Sequence, residues 1–192
     1  MARDDALFEL AGALPDPEVP VLTLADLGMV REAFVEDGHA VVVLTPTYSG
    51  CPATEAIMAD VRDALSRGGY PQAEVRITLS PAWSTDWISD DGRRKLREYG
   101  IAPPACASGV HASASGSSVS SLASASPRTS AMQPIRWHAR GSSGAAGAEV
   151  DPECPRCGSP NVEVISRWSS TPCKALYRCL SCAEPFDYFK PY

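Results

Sequence analysis

The hydrophobic and polar positions of the first hundred residues predict three helices. Two segments carry apolar residues on one helical face, at spacings of three and four residues. These positions are Ala6, Leu7, Leu10, Ala11 and Leu14 in the first segment and Ile57, Val61, Ala64 and Leu65 in the second. Asp4 and Asp5 are placed to cap the first helix, and Pro52 suits the first turn of the second. A third helix is expected between Ser89, as its N-cap, and Gly100, just past its end.

Three shorter apolar segments predict β-strands. Residues 30–35 and 39–44 flank Asp37-Gly38, a dipeptide typical of hairpin turns. The second of these strands is apolar on both faces, so we expect it at the centre of the sheet, and residues 74–79 alternate as a further strand. Together the elements predict an α+β domain over residues 1–105, a small β-sheet with packed helices, which we call the front domain.

The rest of the chain divides into two parts by composition. Residues 106–149 are rich in Ser, Ala and Gly and show no hydrophobic period, so they cannot bury enough apolar surface to offset the entropy of ordering. We therefore predict a flexible linker there. Residues 150–192 hold five of the seven cysteines and alternate in strand-like segments, which indicates a small separate module.

Four of these cysteines form two C-x-x-C pairs. Cys154-Pro-Arg-Cys157 and Cys179-Leu-Ser-Cys182 are separated by 21 residues, and each pair offers two thiolates to one tetrahedral site. A module of about 40 residues needs such a metal because its own core is too small. We predict a zinc β-ribbon over residues 150–192, with Zn²⁺ preferred over iron, which similar thiolate sites also hold.

The fifth cysteine of this region, Cys173, is one more than a closed site needs. It is interpreted either as a packed thiol or as an exchangeable ligand or redox thiol whose pKa is lowered by Lys174. The aromatic C-terminal segment, residues 184–192, is expected either to cover the core of the ribbon or to dock a protein partner.

Charge and hydropathy exclude several functional classes. The formal net charge is −6, and the 150–192 module has five acidic and five basic residues, which disfavours nucleic-acid binding. No apolar run approaches the roughly 20 residues that cross a bilayer. The acidic start of the chain does not resemble a secretion signal, so we expect a cytoplasmic protein that does not associate with membranes. Homo-oligomerisation is left open.

Cys51 is the candidate functional thiol of the front domain. It lies between Gly50 and Pro52 at a strand–loop–helix junction, where a helix N-terminus is expected to favour the thiolate. The one histidine of the front domain, His39, is expected at the far end of the preceding strand, which disfavours nucleophilic hydrolysis. Binding of iron or an iron–sulfur cluster needs no base, but it needs further ligands.

Four front-domain motifs resemble the small domain shared by iron–sulfur cluster assembly and targeting factors. They are Asp16-Pro-Glu-Val-Pro20, Asp26-Leu-Gly-Met-Val30, Thr45-Pro-Thr-Tyr-Ser-Gly-Cys-Pro52 and Pro81-Ala-Trp-Ser-Thr-Asp-Trp87. Residues 91–104 and the ribbon extend the resemblance to the family of accessory proteins encoded with the phenylacetyl-CoA epoxidase complex. In these families the cysteine at the position of Cys51 is the functional thiol.

The resemblance implies an accessory or maturation factor for that complex in aerobic phenylacetate breakdown, and not an enzyme. Its partners would be the oxygenase or reductase components, and its cargo a transient iron–sulfur cluster or iron at Cys51. Two alternatives stay open, a non-catalytic structural subunit and a rubredoxin-like electron carrier. Cys106, in the linker, has no role that the resemblance assigns.

Overall fold

The computed structural model describes residues 3–104 and 151–191. The helices are α1 (Asp5–Gly12), α2 (Thr54–Arg67) and α3 (Asp90–Glu98), with a short 3₁₀ helix at Thr85–Trp87. The strands are β1 (Val30–Glu36), β2 (His39–Leu44), β3 (Glu74–Ile77), β4 (Ile101–Ala102), β5 (Val162–Ser166), β6 (Lys174–Cys179) and β7 (Pro185–Phe189). The α+β fold class is confirmed. No helix within the two described ranges is long and apolar enough to cross a membrane.

The first elements form where the sequence predicts them. Asp4 caps α1, and its Oδ1 accepts a hydrogen bond from the amide of Leu7 at 3.1 Å. β1 and β2 form the predicted hairpin, and both turn residues have positive φ, 49° at Asp37 and 81° at Gly38. Asp-Gly suits this turn because both residues tolerate positive φ better than most.

The front-domain sheet has three strands, with β2 at its centre as predicted. β2 pairs antiparallel with β1 and parallel with β3. The buried residues of α2 are Ile57, Val61, Ala64 and Leu65, the four predicted positions. β3 ends at Ile77 and not at residue 79 as predicted, because its partner β2 ends at Leu44 and offers only one further hydrogen bond, to the amide of Thr78.

Asp26 connects α3 to the loop that precedes β1. Its carboxylate accepts hydrogen bonds from Lys95 Nζ at 2.7 Å, from Ser89 Oγ at 3.2 Å and from the amide of Thr23 at 2.9 Å. Burial raises the pKa of Asp26, but the hydrogen bonds from Lys95 and Thr23 outweigh it and hold the pKa below its usual value. The ionised carboxylate therefore stabilises the start of α3, where Ser89 is the predicted N-cap.

The ribbon belongs to a four-stranded sheet in the order β4-β7-β6-β5. β5, β6 and β7 pair antiparallel, and β4, from the front domain, pairs parallel with β7. The aromatic C-terminal segment forms β7, in which Phe186, Tyr188 and Phe189 are buried. Of the two interpretations of this segment, packing against the protein itself is the one observed.

The front domain and the ribbon share one hydrophobic core. Phe189 is 1% exposed and packs among front-domain residues, and its ring centroid lies 6.2 Å from that of Trp83. Arg93 ties the segment just after β4 to the 3₁₀ helix by donating hydrogen bonds to the carbonyl oxygens of Pro104 and Thr85, at 2.7 and 2.6 Å. The described residues on both sides of the gap thus form one compact unit.

The predicted domain boundaries, 1–105, 106–149 and 150–192, stay predictions. The linker and Cys106 lie outside the described residues. The structure adds one fact that the sequence pattern did not suggest. Strand β4, from the front domain, joins the sheet of the ribbon, and the ring of Phe189, from the ribbon, packs in the core of the front domain.

Candidate functional site

The four cysteines of the C-x-x-C pairs converge in the ribbon. Their sulfur atoms all lie within 4.8 Å of one another, with 3.8 Å between those of Cys154 and Cys182 and 3.5 Å between those of Cys157 and Cys179. In a tetrahedral site with zinc–sulfur bonds of about 2.3 Å, the sulfurs are about 3.8 Å apart. The predicted ligands are therefore spaced to hold a tetrahedrally coordinated metal ion.

Two residues in the left-handed conformation shape the turns that carry these thiols. Gly158 (φ 71°) and Ala183 (φ 63°) each directly follow the second cysteine of a pair. The amides of the next residues, Ser159 and Glu184, donate hydrogen bonds to the sulfurs of those cysteines. Gly158 suits this conformation, whereas Ala183 is an alanine in a conformation that favours glycine.

At one of its four cysteines the ribbon favours the thiolate even before a metal binds. Backbone amides of Cys182 and Ser181 donate hydrogen bonds to the sulfur of Cys179 and lower the pKa of Cys179 to about 6. Because metals bind thiolates and not thiols, this shift reduces the competition between protons and the metal at neutral pH.

Cys51 lies in the loop between β2 and α2, three residues before the helix begins at Thr54. Its thiol is half-buried. Its amide donates to the carbonyl oxygen of Tyr48, and its own carbonyl oxygen accepts from the amide and the hydroxyl of Thr54. His39 begins β2, whereas the Cys51 loop follows the end of that strand, so the described residues offer the thiol no histidine as a general base.

The electrostatic environment of Cys51 differs from the expected one. Burial raises the pKa of its thiol, and the negative charges of Glu18 and Asp16 raise it further. Hydrogen bonds from Ala53 and Thr54 at the start of the helix act in the opposite direction but do not outweigh burial. The helix start therefore favours the thiolate as predicted, but burial and the carboxylates outweigh this effect on the pKa, and a bound cation would favour the ionised form.

Cys173 is buried at the contact between the ribbon and the front domain. It is 2% exposed and belongs to the hydrophobic core of the front domain. Its sulfur lies 3.0 Å from Thr171 Oγ1, and its thiol donates to Glu18 Oε2 at 3.7 Å. Burial raises the pKa of Cys173 to about 11, and Lys174 does not reverse this effect. The interpretation as a packed thiol fits these observations, and a lowered pKa does not.

Sequence reasoning gave no role to Asp16 and Glu18, two carboxylates on either side of Pro17. Oδ1 of Asp16 accepts hydrogen bonds from the amides of Glu18 and Val19, both at 2.8 Å. Burial raises the pKa of both carboxyl groups. Two signals in the sequence marked them: the pair of acidic residues in an otherwise apolar segment, and the motif Asp16-Pro-Glu-Val-Pro20, which contributes to the family resemblance.

Two of the other motifs are explained by folding. Gly28 has φ 64°, and a Cβ there would lie 2.6 Å from the carbonyl oxygen of Trp87. Trp83 is buried, and its indole Nε1 donates to the carbonyl oxygen of Leu27 at 2.8 Å. These residues join the two motifs to each other within the front-domain core.

Comparison with known proteins agrees with both modules. Residues 5–87 match the family described as "Iron-sulfur cluster assembly protein", and residues 138–190 match the "PaaD zinc beta ribbon domain". Over 184 residues the chain is 42% identical to an Escherichia coli (strain K12) protein named as one subunit of a "Putative 1,2-phenylacetyl-CoA epoxidase", covering 96% of this chain and 90% of that protein. The chain belongs to the PaaD family. The resemblance found in the sequence motifs is thereby confirmed.

Other similar proteins match the front part of this PaaD-family chain. A protein of Porphyromonas gingivalis named "Fe-S protein maturation auxiliary factor" is 35% identical over 98 residues, which is 50% of this chain and 92% of that protein. A solved Bacillus anthracis structure titled as a domain of unknown function, DUF59, is 29% identical with a TM-score of 0.44, and covers 48% of this chain and 89% of its own.

Proposed function

We propose that this PaaD-family protein is an accessory factor of the phenylacetyl-CoA epoxidase complex, not a catalyst, and that it assists the insertion of iron or iron–sulfur clusters through Cys51. The E. coli relative is named as a subunit of that epoxidase, and shorter relatives are named as maturation factors for iron–sulfur proteins. The clients would be the oxygenase or reductase components.

The observation that carries the proposal is the setting of Cys51. The thiol is partly accessible, has no histidine base beside it among the described residues, and lies within reach of the charges of two carboxylates. A thiol with a raised pKa is a poor nucleophile for hydrolysis at neutral pH. The same thiol is a suitable metal ligand, since a cation ionises it on binding and is released again when the thiol is protonated.

In the ribbon we propose a structural Zn²⁺ held by Cys154, Cys157, Cys179 and Cys182. The turns of the two C-x-x-C pairs and the spacing of the sulfurs suit a closed four-thiolate site, in which no position is left for a substrate. The role of this ion would be to stabilise the sheet that contains β4 and β7.

A complementation experiment tests the role of Cys51. In cells that lack the native protein, the Cys51→Ser variant should fail to restore epoxidase activity and the iron content of the purified epoxidase components. Cys106→Ser, which removes a thiol from the predicted linker, is the matched control and should restore both. Full maturation with Cys51→Ser would contradict the transfer role.

A structural role in docking is a second candidate, favoured by the surface of the ribbon. β5 is one of the two edge strands of its sheet, and the exposed apolar side chains Val164, Ile165 and Trp168 lie on or next to it. Deleting residues 150–192 would not test this role, since Phe189 and Cys173 belong to the front-domain core. Trp168→Ala should weaken co-purification with the epoxidase components if the ribbon docks there.

The rubredoxin-like alternative predicts iron in the ribbon. Metal analysis of anaerobically purified protein distinguishes a structural zinc site from an electron-carrying iron site. One zinc per chain in a colourless protein, without a redox wave, excludes electron transfer by the ribbon. Iron with a reversible redox wave would favour it.

A further inference from the structure

A cleft of about 440 Å³ lies at the contact between the front domain and the ribbon. Residues 97–100, at the end of α3 and just before β4, form one side of it. The ribbon forms the other side with Pro155 and Arg156, inside the first C-x-x-C pair, and with residues 184–186, at the start of β7. Clefts of this size are common ligand sites, above all where two modules meet. Among the described residues no cysteine lines it, so it is separate from both thiol sites.

The charged side chains that line the cleft are paired, with one exception. Glu98 accepts a hydrogen bond from Arg94 at 2.7 Å, and Glu184 accepts one from Arg156 at 2.5 Å. Arg97 forms no ion pair or side-chain hydrogen bond within residues 3–104 and 151–191. The two glutamates are thus neutralised by their own arginines, and the guanidinium of Arg97 is the charge left without a counterion.

Aromatic and proline side chains form the apolar part of the cleft. Tyr99 is 63% exposed, whereas Phe186 is buried, and Pro155 and Pro185 complete this part. Tyrosine and arginine are among the residues that most often dominate the binding energy of protein interfaces, since both combine apolar surface with hydrogen-bond donors. A largely exposed tyrosine beside an unpaired arginine is therefore suited to contact with another protein.

We propose that this cleft binds an acidic segment of a partner protein, in which carboxylates flank an aromatic or large aliphatic side chain. Arg97 donates hydrogen bonds to a carboxylate of the segment, because its planar guanidinium suits that group. Tyr99 and the two prolines pack against the apolar side chain. The inference rests on the proposed accessory role and names the chemistry by which the factor recognises a client. The cleft lies on the β4 side of the ribbon sheet, whereas the docking candidate described above lies at the other edge strand, β5.

The charge of the chain argues against its own linker as the occupant. Residues 106–149 hold one acidic and three basic residues, so the linker carries the wrong charge for Arg97. A second copy of the chain offers more carboxylates, because residues 1–105 hold 17 acidic and nine basic residues. That same excess makes two copies repel one another, whereas a short segment of another protein meets only the charges near the cleft. A separate protein is therefore the occupant that the charges favour.

The test is fluorescence anisotropy with the full zinc-loaded chain and two labelled peptides, the acidic GEDFDEG and the basic GKKFKKG. The wild type should bind the acidic peptide more tightly than the basic one, and less tightly as salt is added. Arg97→Gln should weaken binding of the acidic peptide about tenfold, the scale of a lost charge-assisted hydrogen bond, and Tyr99→Ala about fivefold. Arg167→Gln, which removes an exposed arginine beside β5, is the matched control and should bind like the wild type.

Each outcome decides the question. Arg97 and Tyr99 are exposed, so their replacement should leave the thermal midpoint unchanged, and a loss of binding then reports on the cleft itself. If the wild type does not prefer the acidic peptide, or if Arg167→Gln weakens binding as much as Arg97→Gln, the proposed site is wrong. Self-association of the wild type that Arg97→Gln abolishes, measured by analytical ultracentrifugation, would assign the cleft to a second copy and contradict a separate partner. None of these measurements involves Cys51, whose role the complementation experiment judges separately.

Discussion

The two cysteine-bearing regions of this protein are built in opposite ways. In the ribbon, each pair of ligands lies within four residues of sequence, and two short turns aim the sulfurs at one point. Around Cys51, the nearby groups come from distant positions, and Glu18 and Cys173 are 155 residues apart in the chain. The first region is encoded locally, and the second exists only when the whole core is assembled.

The comparison also separates two ways to control a thiol. In the ribbon, backbone amides lower the pKa of Cys179 to about 6, whereas at Cys157 and Cys182 the effect of the amides is outweighed by burial and neighbouring sulfurs and the pKa is raised. At Cys51, burial and carboxylates raise the pKa of the thiol. The ribbon therefore offers a metal one thiolate that ionises readily, whereas the raised pKa at Cys51 suits reversible binding.

The strongest test of local encoding is to remove one ribbon ligand. Cys179→Ser should abolish metal binding by the ribbon and cost much of the folding free energy, since structural zinc sites contribute about 10–16 kcal/mol of binding energy in small domains. Because the ribbon shares a core with the front domain, thermal unfolding should shift for the whole unit in one transition. Metal analysis and circular dichroism check this, with Cys106→Ser as control. A front domain that melts unchanged would contradict the shared core.

The junction itself can be weakened without touching a ligand. Phe189→Ala should cost about 3–5 kcal/mol, the usual range for a buried phenylalanine, because its ring fills the contact with Trp83. Zinc content should stay at the wild-type level. Urea unfolding with metal analysis measures both, and Phe189→Leu is the milder matched variant. Loss of zinc with little loss of stability would mean that Phe189 supports the ribbon alone.

Acid should affect the Asp26–Lys95 ion pair of the front domain and the metal site of the ribbon differently. The lowered pKa of Asp26 means that its ion pair with Lys95 stabilises the fold above the unfolded pKa of about 3.9 and that this contribution is lost as the pH falls through the lower folded value. Asp26→Asn should cost about 1–3 kcal/mol at pH 7, and its deficit relative to wild type should shrink below about pH 4.

Metal release from the ribbon should follow a pH dependence of its own, because protons compete with the metal for the thiolate of Cys179, whose pKa without metal is about 6. Urea unfolding and zinc release followed across pH distinguish the two processes. A deficit of Asp26→Asn that is constant from pH 7 to pH 3 would contradict the role of its ionised carboxylate.

The smallest effect concerns the turns of the ribbon. Ala183→Gly should stabilise the protein by about 1 kcal/mol, because Ala183 has φ 63° and an L side chain is disfavoured there. The matched change in the other knuckle, Gly158→Ala, should destabilise by a similar amount, since nothing lies within 4 Å of its added Cβ and only the backbone conformation matters. Thermal midpoints of the zinc-loaded proteins measure both. If both variants stabilised the protein, or both destabilised it, the two C-x-x-C turns would not be equivalent and the explanation from φ would be contradicted.

Much of the fold could be predicted from the sequence because its signals are local. The capping of α1 by Asp4, the Asp37-Gly38 turn and the buried face of α2 each depend on residues within a few positions of one another. The same is true of the ligand pairs of the ribbon. The predicted strand at residues 74–79 ran too far because its end depends on where its partner β2 ends, which is a fact about pairing and not about the segment itself.

By itself the sequence determined the α+β class, the four ribbon ligands and the candidate thiol Cys51, since periodicity, turn residues and short spacings act over a few bonds. Only the tertiary structure decided that β4 joins the ribbon sheet, that Phe189 fills the front-domain core, and that Cys173 meets Glu18. The tertiary structure also decided the environment of Cys51. Burial and the charge of distant carboxylates set its pKa, and neither can be known until the chain has folded.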